Sequence, residues 1–390
     1  MIAFPPRMIL AAAIASVILT PVQAAESIAE AFTNGKTNVS FRLRYEDVND
    51  DAAEDAEALT LKSRITFTTD SYKGFSALLE VDDVTELDNV TYTDGVTNRG
   101  TTPIVDPEDT DVNQAYLAYT TGATTVKVGR QRILLDNQRF VGGVGFRQNE
   151  QTYDALSITN TSLPDTTLFY SYISSVNGIT GTDVEHETHL VNAKYTGLPI
   201  GALSAYYYSI ELEDADDSLD TYGVRLSGSK PAGDAKILYT AEYATQENVG
   251  GTAEPDYYVV EGGVSVAGVT AKLGYEVLGS DEGVGFNTPL ATKHKFQGWA
   301  DMFLATPGAG IEDLYFSVGT TLAGIKLLAV YHDYESDEGS LDFGDEWGFL
   351  AAKSFGKNYG LELKYASYDA GKDIAKEDKS KLWLTATAKF

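Results

Sequence analysis

The chain has 390 residues, no cysteine, 57 acidic against 29 basic side chains and a formal net charge of −28. So acidic a balance excludes a nucleic-acid binder, which needs a basic face for phosphates, and the absence of cysteine excludes a disulfide-stapled scaffold. Mean hydropathy is −0.17, which does not exclude a membrane protein, because a barrel strand alternating lipid-facing and lumen-facing residues averages out as neutral.

The N-terminus reads as an export signal. Arg7 supplies a short positive region, Met8 to Thr20 is an apolar run of thirteen residues, and Val22-Gln23-Ala24 is a small-x-small cleavage pattern. Such a run is too short to span a bilayer. The expectation is a signal peptide over residues 1–24, cleaved after Ala24 with Ala25 as the neighbouring choice. Residues 1–24 carry one arginine and no acid, so the mature chain has a net charge of −29. Residues 25–36 then form an N-terminal periplasmic segment, and residues 37–390 the folded body. No later segment approaches eighteen consecutive apolar residues, so no helical membrane span is expected.

Segments of about ten residues with period two recur along the mature chain. In the first, near 37–47, Val39, Phe41, Leu43 and Tyr45 oppose Ser40, Arg42, Arg44 and Glu46. In the next, near 58–70, Leu59, Leu61, Ile65 and Phe67 oppose Thr60, Lys62, Arg64 and Thr66. An arginine facing lipid near the midplane costs roughly 2–4 kcal/mol, so the charged faces point inward. Tight connections rich in Gly, Pro, Asn and Asp fall near 72–74, 121–122, 163–165, 197–199, 230–233, 267–268, 323–324 and 356–358. Longer polar stretches lie near 48–57, 86–110, 132–151, 178–184, 213–218, 246–255, 280–311, 337–344 and 370–379. Eight short and nine long connections predict eighteen strands, an even number that returns both ends to the periplasmic side.

The predicted fold class is therefore all-β, a transmembrane antiparallel β-barrel over residues 37–390. Residues 294–306, HKFQGWADMFLAT, look like one more strand, but an odd count would leave the termini on opposite sides. They are assigned to the long external loop, as a short helix with Trp299, Met302 and Phe303 on one face. A large soluble sandwich or a β-helix is the alternative, but no repeat with a fixed residue signature is present. The 24 tyrosines suit phenol rings placed at two membrane interfaces. In the last segment Leu382, Leu384, Ala386, Ala388 and Phe390 alternate with Trp383, Thr385, Thr387 and Lys389. A final strand ending in phenylalanine resembles the signal by which outer-membrane barrels meet their insertion machinery, with Phe390 as the contact.

Acids crowd the long loops, most densely at Asp50-Asp51, Glu213-Asp214 with Asp216-Asp217, and Asp337-Glu338. They read as a solvated outer surface beside outer-membrane lipid and lipopolysaccharide, or as carboxylates bridged to lipopolysaccharide by divalent cations. No block has EF-hand spacing, and no metal site is expected. Arginines are distributed differently: all but Arg225 of the mature ones lie between Arg42 and Arg147. Arg42, Arg44, Lys62, Arg64 and Lys127 are predicted to share the inward face of adjacent strands, with Arg130, Arg132, Arg139 and Arg147 following in the next strand end and loop. Guanidinium groups suit carboxylate, sulfate or phosphate oxygens. The other reading is that they pair with inward acids such as Glu46, Glu80 and Asp82 and only shape the field across an ordinary pore.

Residues 129–155, GRQRILLDNQRFVGGVGFRQNEQTYDA, leave a strand, cross a Gly-, Arg-, Gln- and Asn-rich loop and rejoin a strand. This stretch resembles the signature of the alginate-export family of outer-membrane channels, and FQGWADMFLATPGAGIEDLY at 296–315 is a second match. The resemblance implies an eighteen-stranded diffusive channel with a basic constriction. By position, Arg130, Arg132, Arg139 and Arg147 would line it with Gln131, Asn137, Gln138 and Gln148: arginines for the carboxylates of sugar acids, amides for hydroxyls. The sequence departs from the type in its sparse lumenal arginine after residue 150 and in inward acids such as Glu242, Glu261, Glu276 and Glu362.

Enzyme chemistry is not expected. His186 and His189 fall on opposite strand faces, and although His189 or His332 could lie beside an inward serine, nothing positions a nucleophile as a lipid hydrolase requires. No cofactor or energy-coupling motif is visible. The expectation is passive transport of hydrophilic solutes across the bacterial outer membrane, with anionic sugars or oligo- and polyuronates first among anionic or neutral carbohydrates, a non-specific general porin as the alternative and an adhesin resting on the long loops alone.

Overall fold

The computed structural model describes residues 25–87, 92–213, 218–248 and 251–390. The signal peptide expected over 1–24 and the loop acids Asp214, Asp216 and Asp217 lie outside these. Eighteen strands form one sheet: β1 (Lys36–Asp50), β2 (Ala56–Thr68), β3 (Phe75–Glu86), β4 (Asp109–Thr121), β5 (Thr124–Gln131), β6 (Thr152–Asn160), β7 (Thr166–Asn177), β8 (Asp183–Leu198) and β9 (Gly201–Glu211) make the first half. The second half is β10 (Ser218–Ala232), β11 (Ala235–Asn248), β12 (Asp256–Val266), β13 (Val269–Leu278), β14 (Ile311–Leu322), β15 (Ile325–Glu335), β16 (Asp342–Phe355), β17 (Tyr359–Ala370) and β18 (Lys379–Lys389).

Each strand pairs antiparallel with its chain neighbours, and β18 closes on β1 from Ser40↔Lys389 to Asp50↔Lys379. The seam is finished by two backbone hydrogen bonds, Val39 N to Phe390 O at 3.0 Å and Phe390 N to Val39 O at 2.8 Å. Closure leaves no edge, which is the condition for a sheet to cross lipid. The seventeen connections fall where predicted, but the lengths do not alternate throughout: residues 51–55 are shorter than the turn at 69–74, and 161–165 equals 178–182 in length.

The two strand faces differ as hydrocarbon demands. Ile65 is 54% exposed and Val260 61% on the outside, while inward Arg44 and Glu46 are 3% and 1% exposed. Outward aromatic pairs mark two levels: Tyr207–Tyr222 at 4.9 Å and Tyr331–Trp347 at 4.7 Å toward the long-loop end, Phe75–Tyr119 at 4.6 Å and Tyr359–Phe390 at 6.0 Å toward the short-turn end. Such belts belong at the two membrane interfaces. The described residues before β1 include a short helix, α1 (Ile28–Thr33), with Ser27 Oγ accepting from Glu30 N at 3.1 Å. Phe32 stacks on outward Phe67 at 6.1 Å, and Asp70 N donates to Ala31 O at 2.9 Å, which ties this segment to the rim beside the β2–β3 turn.

The largest buried apolar cluster sits inside the barrel, where Phe140, Val141, Phe286, Leu290, Met302 and Phe303 from two connections meet Tyr206, Tyr208, Tyr257, Tyr334 and Tyr368 of the wall. The lumen is thus a second core.

The topology has a direct check. Single cysteines at Asp51→Cys, Val96→Cys and Glu338→Cys are expected to react with a membrane-impermeant maleimide on intact cells, while Lys73→Cys and Lys357→Cys react only after the outer membrane is permeabilised. The opposite labelling pattern would invert the barrel.

Candidate functional site

The β5–β6 connection, residues 132–151, turns into the lumen and crosses it. On the β1–β2 side Arg42 Nε donates to Gln148 Oε1 at 2.7 Å and Nη1 to Gly145 O at 2.9 Å, with Nη2 on Arg147 O. Arg44 Nη1 donates to Phe146 O at 2.6 Å, and Gln148 Nε2 to Thr60 Oγ1 at 2.8 Å. A buried loop with no strand partner must find donors for its carbonyls, and each guanidinium offers five N–H groups. Across the lumen Arg139 Nε donates to Glu276 Oε1 on β13 at 2.8 Å. Asp136 accepts from Asn192 Nδ2 on β8 at 2.8 Å and Ser204 Oγ on β9 at 2.7 Å. Asp136, Gln138 and Val144 are left-handed, at φ 48°, 67° and 48°; for a β-branched valine that is a strained backbone held by its surroundings.

The β13–β14 connection, residues 279–310, follows it inward. Gly142 N donates to Leu290 O at 2.8 Å and Thr292 N to Gln138 O at 3.1 Å, so the two connections are joined to each other. A latch fixes them to the wall. Asp301 accepts from His294 Nδ1 at 2.7 Å, Lys381 Nζ of β18 at 2.8 Å and Arg147 Nη2 at 3.2 Å. Lys364 Nζ of β17 lies 2.7 Å from His294 Nε2 and 4.1 and 4.5 Å from the ring centres of Trp299 and Phe146. His294 therefore donates at Nδ1 and accepts at Nε2 as a neutral ring; burial lowers its pKa to about 3 against the pull of Asp301. Burial works against an ionised Asp301, yet His294, Lys381 and Arg147 hold that carboxyl well below the usual range. Glu346 of β16 accepts from Trp299 N and, at 3.1 Å, Ala300 N.

Residues 294–306 do belong to the loop, but the helix expected there is corrected. The only helical turn is Lys293–Lys295, and Gln297, Gly298 and Asp301 are left-handed, at φ 47°, 78° and 62°. A Cβ at Gly298 would lie 2.2 Å from Glu346 Oε2, so the carboxylate can reach the following backbone amides only over a glycine. Met302 and Phe303 still share a partner, the lumenal aromatic cluster, with Phe303 4.8 Å from Tyr334.

The predicted site residues fall into two groups. Arg42, Arg44, Lys62 and Arg64 do face inward from adjacent β1 and β2. With Arg130, Arg132, Arg139 and Arg147 they meet acids or loop carbonyls. Arg64 binds Asp82 at 2.6 and 2.5 Å, Lys62 binds Asp82 at 3.0 Å, and Arg147 binds Glu46 at 3.0 Å. Glu150 gathers Arg132 at 2.5 Å and Arg64 at 2.9 Å; Arg132 also meets Glu80, and Arg130 meets Asp154 at 3.0 Å. Pairing with Glu46, Glu80 and Asp82 is thus the observed arrangement. The amides are similarly engaged. Gln131 Nε2 donates to Ala155 O at 2.9 Å, Gln138 Oε1 accepts from Thr292 Oγ1 at 3.0 Å, and Asn137 Oδ1 accepts from Arg139 N at 3.2 Å.

Lys127 is a correction. β5 stands three strands from β2, so Lys127 does not share the Arg42–Arg64 wall. Its ammonium lies 4.8 Å from the Tyr116 ring centre, with no carboxylate within 4 Å among the described residues. His189 faces outward against Tyr170 and Tyr172, and inward His332 is bound to Asp313 at 2.9 Å. Sequence reasoning missed Glu150, Asp301, Lys293, Lys295 and Lys364. Only Lys293-His294-Lys295 carried a signal, a basic triplet in an otherwise acidic set of loops.

A closed eighteen-strand antiparallel barrel, apolar outside and charged inside, with connections folded into its bore, is an outer-membrane β-barrel of the porin type. The family model for alginate export matches residues 36–281, and the chain belongs to that family. None of the curated proteins compared matches the sequence significantly. Similar solved structures include OccAB4 of Acinetobacter baumannii, 13% identical, covering 92% of this chain and 98% of that one with a TM-score of 0.72. OpdK of Pseudomonas aeruginosa, solved with vanillate, is 12% identical, covering 92% and 99% with a TM-score of 0.72. OccD3 (OpdP) of Pseudomonas aeruginosa is 14% identical, covering 95% and 94% with a TM-score of 0.69. At these identities the likeness is one of fold.

The latch has a measurable role. Removing one partner of a buried ion pair costs about 3–5 kcal/mol, enough to free a connection but not to open a closed barrel. Asp301→Asn is expected to assemble as a heat-modifiable barrel with a larger and noisier single-channel conductance than wild type. Unchanged conductance would mean that the inserted connections stay in place without the latch.

Proposed function

We propose that the protein is a channel for passive diffusion of hydrophilic solutes through the outer membrane, with anionic sugars or oligouronates as preferred cargo. The observation that supports this reading is the concentration of inward cations, from Arg42 to Arg147, around a lumen-crossing connection in a chain of net charge −28. Arg132 is the least buried of the Glu80–Glu150 group, with 21% of its side chain exposed, and is the arginine best placed to exchange a protein carboxylate for one on a solute. OpdK holds vanillate, a carboxylate, and a carboxylate cargo suits this lumen too. Insertion through Phe390, which is 59% exposed, and contact with lipopolysaccharide belong to the same reading.

A second reading, a weakly selective general porin, is favoured by the pairing of these arginines with Glu46, Glu80, Asp82 and Glu150. Bilayer recording across a salt gradient separates the two. The expected result is discrete conductance, a permeability ratio at or above one for chloride over potassium at pH 7, and concentration-dependent block by oligouronates. Conductance without block supports the general porin; strong cation selectivity defeats the anionic cargo.

A further inference from the structure

The cations of the lumen differ in what neutralises them. The arginines are held by fixed partners, and Arg42, which has no carboxylate within 4 Å among the described residues, uses its donors on Gln148 and two loop carbonyls. Lys295 is different. It is exposed, its Nζ donates to Asn137 O at 2.8 Å and lies 5.5 Å from the Phe296 ring centre, and no described carboxylate lies within 4 Å. Lys293, two residues earlier and half-buried, also lacks a described carboxylate within that distance.

Both lysines ride on the deep end of the inserted connections. Asn137 follows Asp136, which is held by Ser204, four residues into β9 from its short-turn end, and by Lys194 at 3.6 Å. The walls facing Lys295 carry Arg225 on β10, Glu261 on β12 and Lys272 on β13. Their charges are matched: Arg225 meets Glu242, and Glu261 meets Lys272 at 2.9 Å and Tyr315 of β14 at 3.1 Å. In this group Lys295 and Lys293 are the surplus, as Lys127 is on β5. At the long-loop end, in contrast, a crevice is lined by Asp82, Asp109, Asp111 and Glu150 with Asn113 and Asn149.

We infer that the periplasm-facing floor of the inserted connections, centred on Lys295 and Lys293, is an anion-binding site that receives carboxylate, sulfate or phosphate groups from the periplasmic side and sets the anion preference of the channel. It rests on the channel reading above. The site assigns selectivity to lysine, not to the buried arginines.

Lysine and arginine can be told apart by pH. Lys295 meets water, but the surrounding barrel keeps bulk solvent away; this desolvation, then Arg225 and Lys272, lowers its pKa to about 8 against Glu261. Burial and Arg139 also lower Lys293. A lowered ammonium pKa means charge present below it and lost as pH rises through it, whereas guanidinium stays charged throughout this range.

The test is the chloride-to-potassium permeability ratio of the full-length protein in planar bilayers from pH 6 to pH 10, using chloride and then trigalacturonate added to one side. Wild type is expected to prefer anions at pH 6–7 and to lose that preference across about pH 8. Lys295→Gln with Lys293→Gln should lower the ratio at pH 7 roughly threefold, and Lys295→Arg should keep wild-type preference and extend it to pH 10. Trigalacturonate block should be stronger from the periplasmic side and weakened in the double variant. An anion preference that persists unchanged to pH 10, or a double variant with the wild-type ratio, overturns the lysine site and leaves the channel reading standing. A wild type that prefers cations at every pH overturns the lysine site and the anionic cargo together, and a protein that gives no discrete conductance overturns the channel reading itself. Heat-modifiable mobility of each variant confirms that a barrel is being measured.

Discussion

Hydrocarbon offers no partner for a backbone N–H or C=O, and the whole architecture follows from that lack. A sheet can cross lipid only when every strand has a neighbour on both sides, which here requires β18 to find β1 from Ser40↔Lys389 to Asp50↔Lys379. Once closed, the sheet has an inside and an outside, and the period of two sends each residue to one or the other. Arg42 and Arg44 cannot slip by one position without carrying two guanidinium groups into lipid and Phe41 and Leu43 into the bore. The charges therefore fix the register that the backbone hydrogen bonds only permit.

The same constraint leaves a bore too polar to collapse and too wide for wall side chains alone to fill. Two connections occupy it, and their irregular backbone needs partners that no sheet supplies. Arg42 and Arg44 act as side-chain substitutes for a neighbouring strand, capping the carbonyls of Gly145, Phe146 and Arg147. Where the connections meet the far wall, Phe140 against Tyr206 and Tyr257 and Phe303 against Tyr334 bury apolar surface. On the far side packing is added to ties such as Arg139 to Glu276. The ionic ties have the stricter geometry, because a buried ion left without its partner is costly, and Asp301 with its three donors is the point where both connections depend on them.

The strands and their turns were legible in the sequence because they obey local rules. Alternation at Arg42, Arg44 and Glu46 and breakers such as Gly197-Leu198-Pro199 need no knowledge of the rest of the chain, and parity then kept residues 294–306 out of the sheet. The interior was not legible. Arg139 meets Glu276, and Arg147 meets Glu46 and Asp301, across more than a hundred residues of sequence, with no spacing to announce the pair. Lys127 was drawn onto the wrong wall because inward direction can be read from period two, whereas angular position around a barrel requires counting strands. The helix expected at Trp299, Met302 and Phe303 failed for a physical reason. Their spacing describes a shared face, but Gly298 and Asp301 bend the chain so that the face forms without a helix.

Composition misleads about the lumen for a related reason. The loop acids that make the chain so negative stand in water, where salt screens them over about 8–10 Å, while a charge in a confined bore acts on every ion that passes. What matters there is which lumenal charges lack a fixed partner. A guanidinium, planar and with five donors, suits several immobile acceptors at once, as Arg64 does between Asp82 and Glu150 and Arg42 does along the loop backbone. Groups held in this way, unlike the more exposed Arg132, are architectural. An ammonium on a flexible stem with a single backbone acceptor, as at Lys295, is bound less rigidly than these guanidinium groups, and conduction needs binding weak enough to leave.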